Sequence, residues 1–137
     1  MKNILAAALI FSALAGPAFA DGNVEDGAKL FKKCKACHAV GEGAKNKVGP
    51  ELNEVLGRTA AGLESYAKKY SKAMKAAGAD GLVWNEETLT EFLAAPKKFV
   101  KGTKMSFAGF KKEEDQENII AYLASFSPDY VPEDGDE

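Results

Sequence analysis

Apolar residues recur at helical spacing in several stretches of the chain, and the clearest is near its end. Over Glu113–Phe126, Ile119, Ile120, Leu123 and Phe126 fall on one face, acids crowd the start, and Pro128 follows the end. Asn85-Glu86-Glu87-Thr88 opens a second helix: asparagine suits the cap, the acids suit the first turn, and Pro96 should stop it. Asp26–Cys37 carries a partial stripe of Ala28, Leu30, Phe31 and Cys34 with lysines between. Tyr70–Ala77 reads as a short helix closed by Gly78, and Leu52–Arg58 as one short turn or helix. Gly41–Pro50 is punctuated as a loop, and Lys97–Phe110, with Gly102 and Gly109 and no clean period, reads as an extended loop. Strand alternation, repeats and internal linkers are missing, so the expected class is all-α. Many apolar residues fall in loops, so the helical faces alone make a thin core. A chain of this kind is often completed by a large apolar cofactor.

The first twenty residues follow another logic. Lys2 precedes an apolar run, Ile4–Leu14, broken only by Ser12; Gly16-Pro17 and Ala18-Phe19-Ala20 follow. A basic start, a short apolar stretch and small residues at the end make residues 1–20 an expected secretory leader, cut after Ala20. The run is too short for a bilayer, which takes about 20 residues. An exported product that is not membrane-embedded is therefore expected.

Charge adds an asymmetry. The chain holds 18 Lys and Arg against 20 Asp and Glu, and the leader removes one base and no acid. Five acids (Asp129, Glu133, Asp134, Asp136, Glu137) and no base lie in the last nine residues. Residues 128–137 are expected to be a disordered acidic tail, leaving 21–127 as the single folded domain. The body is then mildly basic, with lysines grouped at Lys32-Lys33-Lys35, Lys68-Lys69, Lys97-Lys98-Lys101-Lys104 and Lys111-Lys112. Such groups keep a surface wet, and a basic rim can also steer a negatively charged partner.

Both cysteines and the lone histidine lie together in Cys34-Lys35-Ala36-Cys37-His38. A disulfide between such near neighbours closes a tiny loop and stabilises little. A thioredoxin-like pair belongs in a βαβ setting that this pattern lacks, and a zinc site lacks a fourth Cys or His. Cys-x-x-Cys-His is also the attachment signature of haem c. Each thiol adds to one haem vinyl group, and the next residue falls beneath the iron, where imidazole ligates it. One covalent haem c, held by Cys34 and Cys37 with His38 on the metal, is the expected cofactor. For the sixth position the candidates are Met74 and Met105. Met74 sits in a short amphipathic helix, where methionine is usually core filler. Met105 sits in the irregular run Lys101–Phe107, where a buried methionine has less packing reason to exist, and it is the preferred ligand. Thioether ligation raises the reduction potential and closes the iron to reactants.

These residues together resemble the class I c-type cytochromes, in particular the bacterial cytochrome c2 type and its mitochondrial relatives, over nearly all of 21–126. The resemblance rests on several motifs in order. Gly27 and Phe31 resemble an N-terminal helix that packs on the C-terminal helix near Tyr122. Gly49-Pro50 resembles the turn whose proline carbonyl accepts a hydrogen bond from the proximal histidine. Gly57-Arg58-Thr59, Tyr70 and Trp84 resemble positions that hydrogen-bond a buried haem propionate. The run from Pro96-Lys97-Lys98 to Gly109 resembles the methionine-ligand loop, which implies Met105 as sixth ligand, Thr103 as a propionate neighbour and Phe107 as packing beside the haem edge. Taken singly, the aromatic residues read as ordinary core and Arg58 as a surface charge. Two positions depart from the pattern: Phe92 stands where a tyrosine hydroxyl often reaches the methionine sulfur, and Met74 where some relatives are polar.

The resemblance implies a small cytochrome c fold, with crossing terminal helices and short helices and loops around one covalent haem. It implies a monomeric periplasmic single-electron carrier, not an enzyme. The expected donor is a cytochrome bc1 complex, and the expected acceptor a photosynthetic reaction centre or a terminal oxidase. Lys32, Lys35, Lys97, Lys98, Lys101, Lys104, Lys111 and Lys112 would steer docking. No nucleic-acid partner is expected. The alternatives are a small haem peroxidase or ligand sensor, which would need an open sixth site, and a haem subunit docked in a larger enzyme.

Overall fold

Asn23 begins the first helix by accepting the Asp26 amide on its side chain at 3.0 Å, so one orphan donor of the first turn is paired. In the computed structural model, which describes residues 22–132, this helix is α1, Val24–Leu30. The expected leader at 1–20 and residues 133–137 of the tail lie outside the described residues. α1 is shorter than the Asp26–Cys37 reading. The chain tightens into a 3₁₀ turn, Phe31–Lys33, and then turns through the Cys34–Cys37 motif. Helical bonds persist across that turn, with the His38 amide on the Cys34 carbonyl at 2.8 Å.

A short 3₁₀ turn, Glu64–Tyr66, precedes α2, Lys72–Ala79. Ser71 caps α2 through the Met74 amide, and this moves the start two residues beyond the sequence expectation. Gly78 lies inside α2 instead of ending it. A Cβ there would sit 2.0 Å from the Ala60 carbonyl oxygen, so glycine serves close approach to the neighbouring loop. α3, Glu86–Ala94, has the expected Asn85 cap, strengthened by reciprocal bonds between Asn85 and Thr88 of 2.8 and 2.9 Å. Pro96 does not open a loop. Ala95 leaves the helical backbone, and Pro96 takes the first position of a one-turn helix, α4, Pro96–Phe99, where a missing N–H costs nothing. The segment read as loop from Lys97 therefore starts inside α4. Leu52–Arg58 forms two turns and no helix. α5, Glu113–Ala124, is the longest element, with Glu113, Glu114 and Asp115 in its first turn. Among the described residues no strand forms, and the one isolated β-bridge pairs Thr59 with Val83.

α1 crosses α5 at Gly27. A Cβ at that position would lie 2.1 Å from the Asn118 carbonyl oxygen and 2.6 Å from the Tyr122 Cβ, so the backbones touch. The Phe31 and Tyr122 rings pack at 5.3 Å, and the Asn23 amide donates to the buried Asn118 side chain at 2.7 Å. The core joins this crossing to α3. Ile119, Ile120 and Leu123 meet Leu89, Phe92 and Leu93, while Val55, Leu56, Trp84, Val100 and Phe110 reach it from turns and loops. So much core drawn from irregular backbone matches the thin periodic core read from the sequence. No helix among the described residues is long and apolar enough to cross a membrane.

Candidate functional site

The turn after α1 points three reactive side chains at one place. Cys34, Cys37 and His38 line a cavity of about 790 Å³ walled by the core, α2, α3 and the loops. Both cysteines are free thiols. Burial pushes the Cys34 thiol up to about 11, with Cys37 adding to the rise and Lys33 opposing it. At neutral pH Cys34 therefore keeps its proton, unlike a redox or zinc-binding cysteine, whose environment lowers it.

His38 Nδ1 lies 2.7 Å from the Pro50 carbonyl oxygen. A carbonyl only accepts, so Nδ1 holds the ring proton and Nε2 keeps its lone pair. Burial lowers the imidazole below its usual range and Arg58 acts the same way, against the opposing bond to Pro50. The ring is thus neutral at pH 7, the form that ligates metal. Gly49 makes this contact possible: a Cβ there would sit 2.4 Å from His38 Cε1.

Met105 is half-buried in the loop after α4 and packs against the core. Its amide donates to the Thr103 hydroxyl at 3.3 Å. Met105, Thr103 and Phe107 line the same cavity, and the Phe107 ring packs tilted against Phe110 at 4.8 Å between ring centres. Met74 reaches the cavity too, from α2, so the structure brings both candidate thioethers to it.

The polar wall is built by Arg58, Tyr70 and Trp84. Arg58 is not a surface charge. Its side chain is 10% exposed, and it donates to the carbonyls of Glu51 at 3.0 Å and Asn53 at 2.5 Å, with Glu51 as counter-ion at 3.7 Å. Two of the five guanidinium donors are spent there, leaving others for an anion. Tyr70 accepts the Leu63 amide at 3.3 Å, and burial raises its hydroxyl above the usual range. Trp84 is buried beside Phe92 at 4.9 Å, and its indole N–H has no acceptor among the described residues. Phe92 fills its place with an apolar ring.

Every residue read from the sequence as a site residue lines this one cavity: Cys34, Cys37, His38, Pro50, Arg58, Tyr70, Trp84, Thr103, Met105 and Phe107. The lysines sort differently. Of the eight expected at the rim only Lys104 lines the cavity, with Lys33, Lys47, Lys68 and Lys69 as the others. Lys111 donates instead to the Ala94 carbonyl at 2.7 Å and borders a second, acid-rich groove between α3 and α5. Sequence reasoning missed Tyr66, a buried cavity residue whose hydroxyl donates to the Val48 carbonyl. Its spacing of four from Tyr70 was the available signal.

The donor set fits a haem: an apolar cavity of ligand size, two thiols, one neutral imidazole nitrogen, thioethers, and a polar wall of guanidinium, phenol and indole. Comparison with known proteins agrees. The sequence profile of the cytochrome c family matches residues 24–127. The chain is 56% identical over 103 residues to cytochrome c2 of Agrobacterium tumefaciens (strain II Chrys), covering 75% of this chain and 91% of that one. It is 51% identical over 110 residues to cytochrome c2 of Afifella marina, covering 80% and 87%. The solved cytochrome c2 of Rhodospirillum centenum superposes with a TM-score of 0.73 at 36% identity, over 78% of this chain and all of that one. The chain belongs to the cytochrome c family, and is a c2-type electron carrier with one covalent haem c rather than an enzyme.

Proposed function

We propose that the chain is a periplasmic single-electron carrier in which Cys34 and Cys37 hold the haem covalently and His38 and Met105 bind its iron. The observation that carries this reading is the convergence of both thiols, the Nε2 lone pair and a loop thioether on one cavity. Haem bound there supplies a one-electron ferric/ferrous couple. The protein does the rest. Pro50 fixes the imidazole tautomer and increases its basicity. Arg58, Tyr70, Trp84 and Thr103 offer hydrogen bonds to propionate oxygens. The apolar lining excludes water, and two protein ligands leave reactants no open position. Met105 is favoured over Met74 because it sits in an irregular loop, whereas Met74 belongs to a capped helix.

The leader at residues 1–20 supports export, and 21–127 is the electron-carrying domain. Exposed Lys33, Lys47, Lys68, Lys69 and Lys104 at the cavity mouth suit acidic docking faces. The bc1 complex as donor, and a photosynthetic reaction centre or terminal oxidase as acceptor, fit that polarity. The optical spectrum of the exported protein in both redox states tests the site. Covalent low-spin haem with a ferric sulfur-to-iron band is expected, and a high-spin spectrum would overturn the carrier reading. The second-order electron-transfer rate should fall as salt is added; a flat dependence removes lysine steering.

A further inference from the structure

Three side-chain bonds tie the segment Leu63–Tyr70 to the loop that packs on His38 and to the loop that bears Met105. The Tyr66 hydroxyl donates to the Val48 carbonyl, Asn46 Nδ2 donates to Ser65 Oγ at 3.0 Å, and Lys104 Nζ donates to the Lys69 carbonyl at 3.2 Å. The first is different in kind. Tyr66 is 7% exposed and packs edge-on against Tyr70 at 4.8 Å, whereas the other two bonds lie at the surface. The carbonyl it holds belongs to the residue before Gly49, which lies directly on the His38 ring, and two before Pro50, whose carbonyl accepts the hydrogen bond from Nδ1. Val48 itself is 77% exposed, so its side chain gives the loop no anchor in the core.

We propose that Tyr66 is a positioning residue for His38: by holding the Val48 carbonyl, its hydroxyl sets the placement of the Pro50 carbonyl against Nδ1. The proposal rests on His38 being an iron ligand, as above. Losing the hydroxyl frees the Val48 carbonyl to take water and lets the Val48–Pro50 stretch move. The bond from Nδ1 then weakens, the imidazole becomes a poorer donor, and ferric iron loses more stabilisation than ferrous.

The test compares Y66F and S65A holoproteins with the parent. The spectrum of the parent decides the ligand reading by itself. Given low-spin His/Met haem in the parent, Y66F should keep that spectrum, exchange the His38 ring N–H about fivefold faster, as loss of one ordinary hydrogen bond would allow, and shift the midpoint potential upward. S65A, which cuts only the neighbouring surface bond, should move neither. Unchanged exchange and potential in Y66F overturn the proposal. So does an equal shift in S65A, which would mean general loosening of the loop. Should Y66F take up no haem, the parent decides by NMR. A Tyr66 hydroxyl proton exchanging as slowly as the His38 ring proton supports the link, and one exchanging far faster overturns it.

Discussion

Met105 and Met74 reach the same cavity, yet their substitution should read out differently. If Met105 binds the iron, Met105→Ala removes the ferric sulfur-to-iron band, lowers the midpoint potential and lets added imidazole bind. Met74→Ala should keep the band and cost about 2–5 kcal/mol of stability at most, as a partly buried core truncation. The opposite pattern would exchange the two roles. Glu86 tests electrostatics elsewhere. Its Oε1 is buried without a partner among the described residues, and burial raises its carboxyl above the ordinary 4.5, in a groove it shares with Glu87, Glu91, Glu113, Glu117 and Lys111. The folded chain therefore holds this proton more tightly than the unfolded one. Stability falls as pH rises through the window from 4.5 to the raised value, and the cost persists above it. Glu86→Gln should melt higher than the parent at pH 7, with the difference closing below pH 4.5; a lower melting temperature at pH 7 would contradict it. At this scale the sequence was legible where chemistry is local. Five consecutive residues name the thiols and the imidazole. Tyr66 escaped because its value depends on a carbonyl eighteen positions away, which no short pattern encodes.

Helix ends show where local reading holds and where tertiary contact takes over. The Asn85 cap and the acidic start of α5 were readable because capping is settled within one turn. Pro96 stops α3 as read, but it also opens α4, which the loop reading from Lys97 missed, and Gly78 misled because close approach to Ala60 outweighs its usual stop signal. The crossing of α1 and α5 is the decisive element contact, and Gly27 is its narrowest point. A methyl group there meets the backbone of Asn118, which cannot move without shifting α5. Gly27→Ala should therefore destabilise the holoprotein by about 1–3 kcal/mol or more through overpacking, despite alanine's better helix propensity. Denaturant titration measures it. A stabilised variant would show that α1 can slide along α5 without loss.

For the molecule as a whole, the same thinness of core that suggested a cofactor also decides what happens without one. Phe31, Val55, Trp84, Leu89, Phe92, Leu93, Ile119 and Leu123 are core residues that also face the cavity, so one surface serves both packing and cofactor. Without the cofactor those faces lose their packing partner and meet water across a cavity of about 790 Å³ that opens to solvent, a loss to be set against the roughly 5–15 kcal/mol by which a domain is stable. Loops suffer first: the Gly41–Pro50 and Lys101–Gly109 stretches hold few backbone bonds of their own and face the cavity through Val48, Pro50, Met105 and Phe107. The variant C34A/C37A, which cannot bond haem, should thus lack near-UV circular dichroism and a cooperative calorimetric transition when prepared free of haem. Added haem should restore part of both, through the imidazole and thioether alone. A sharp transition in the haem-free variant would mean that the α1–α5 crossing and α3 carry the fold by themselves, and that the cavity is a preformed vessel rather than half of a shared core.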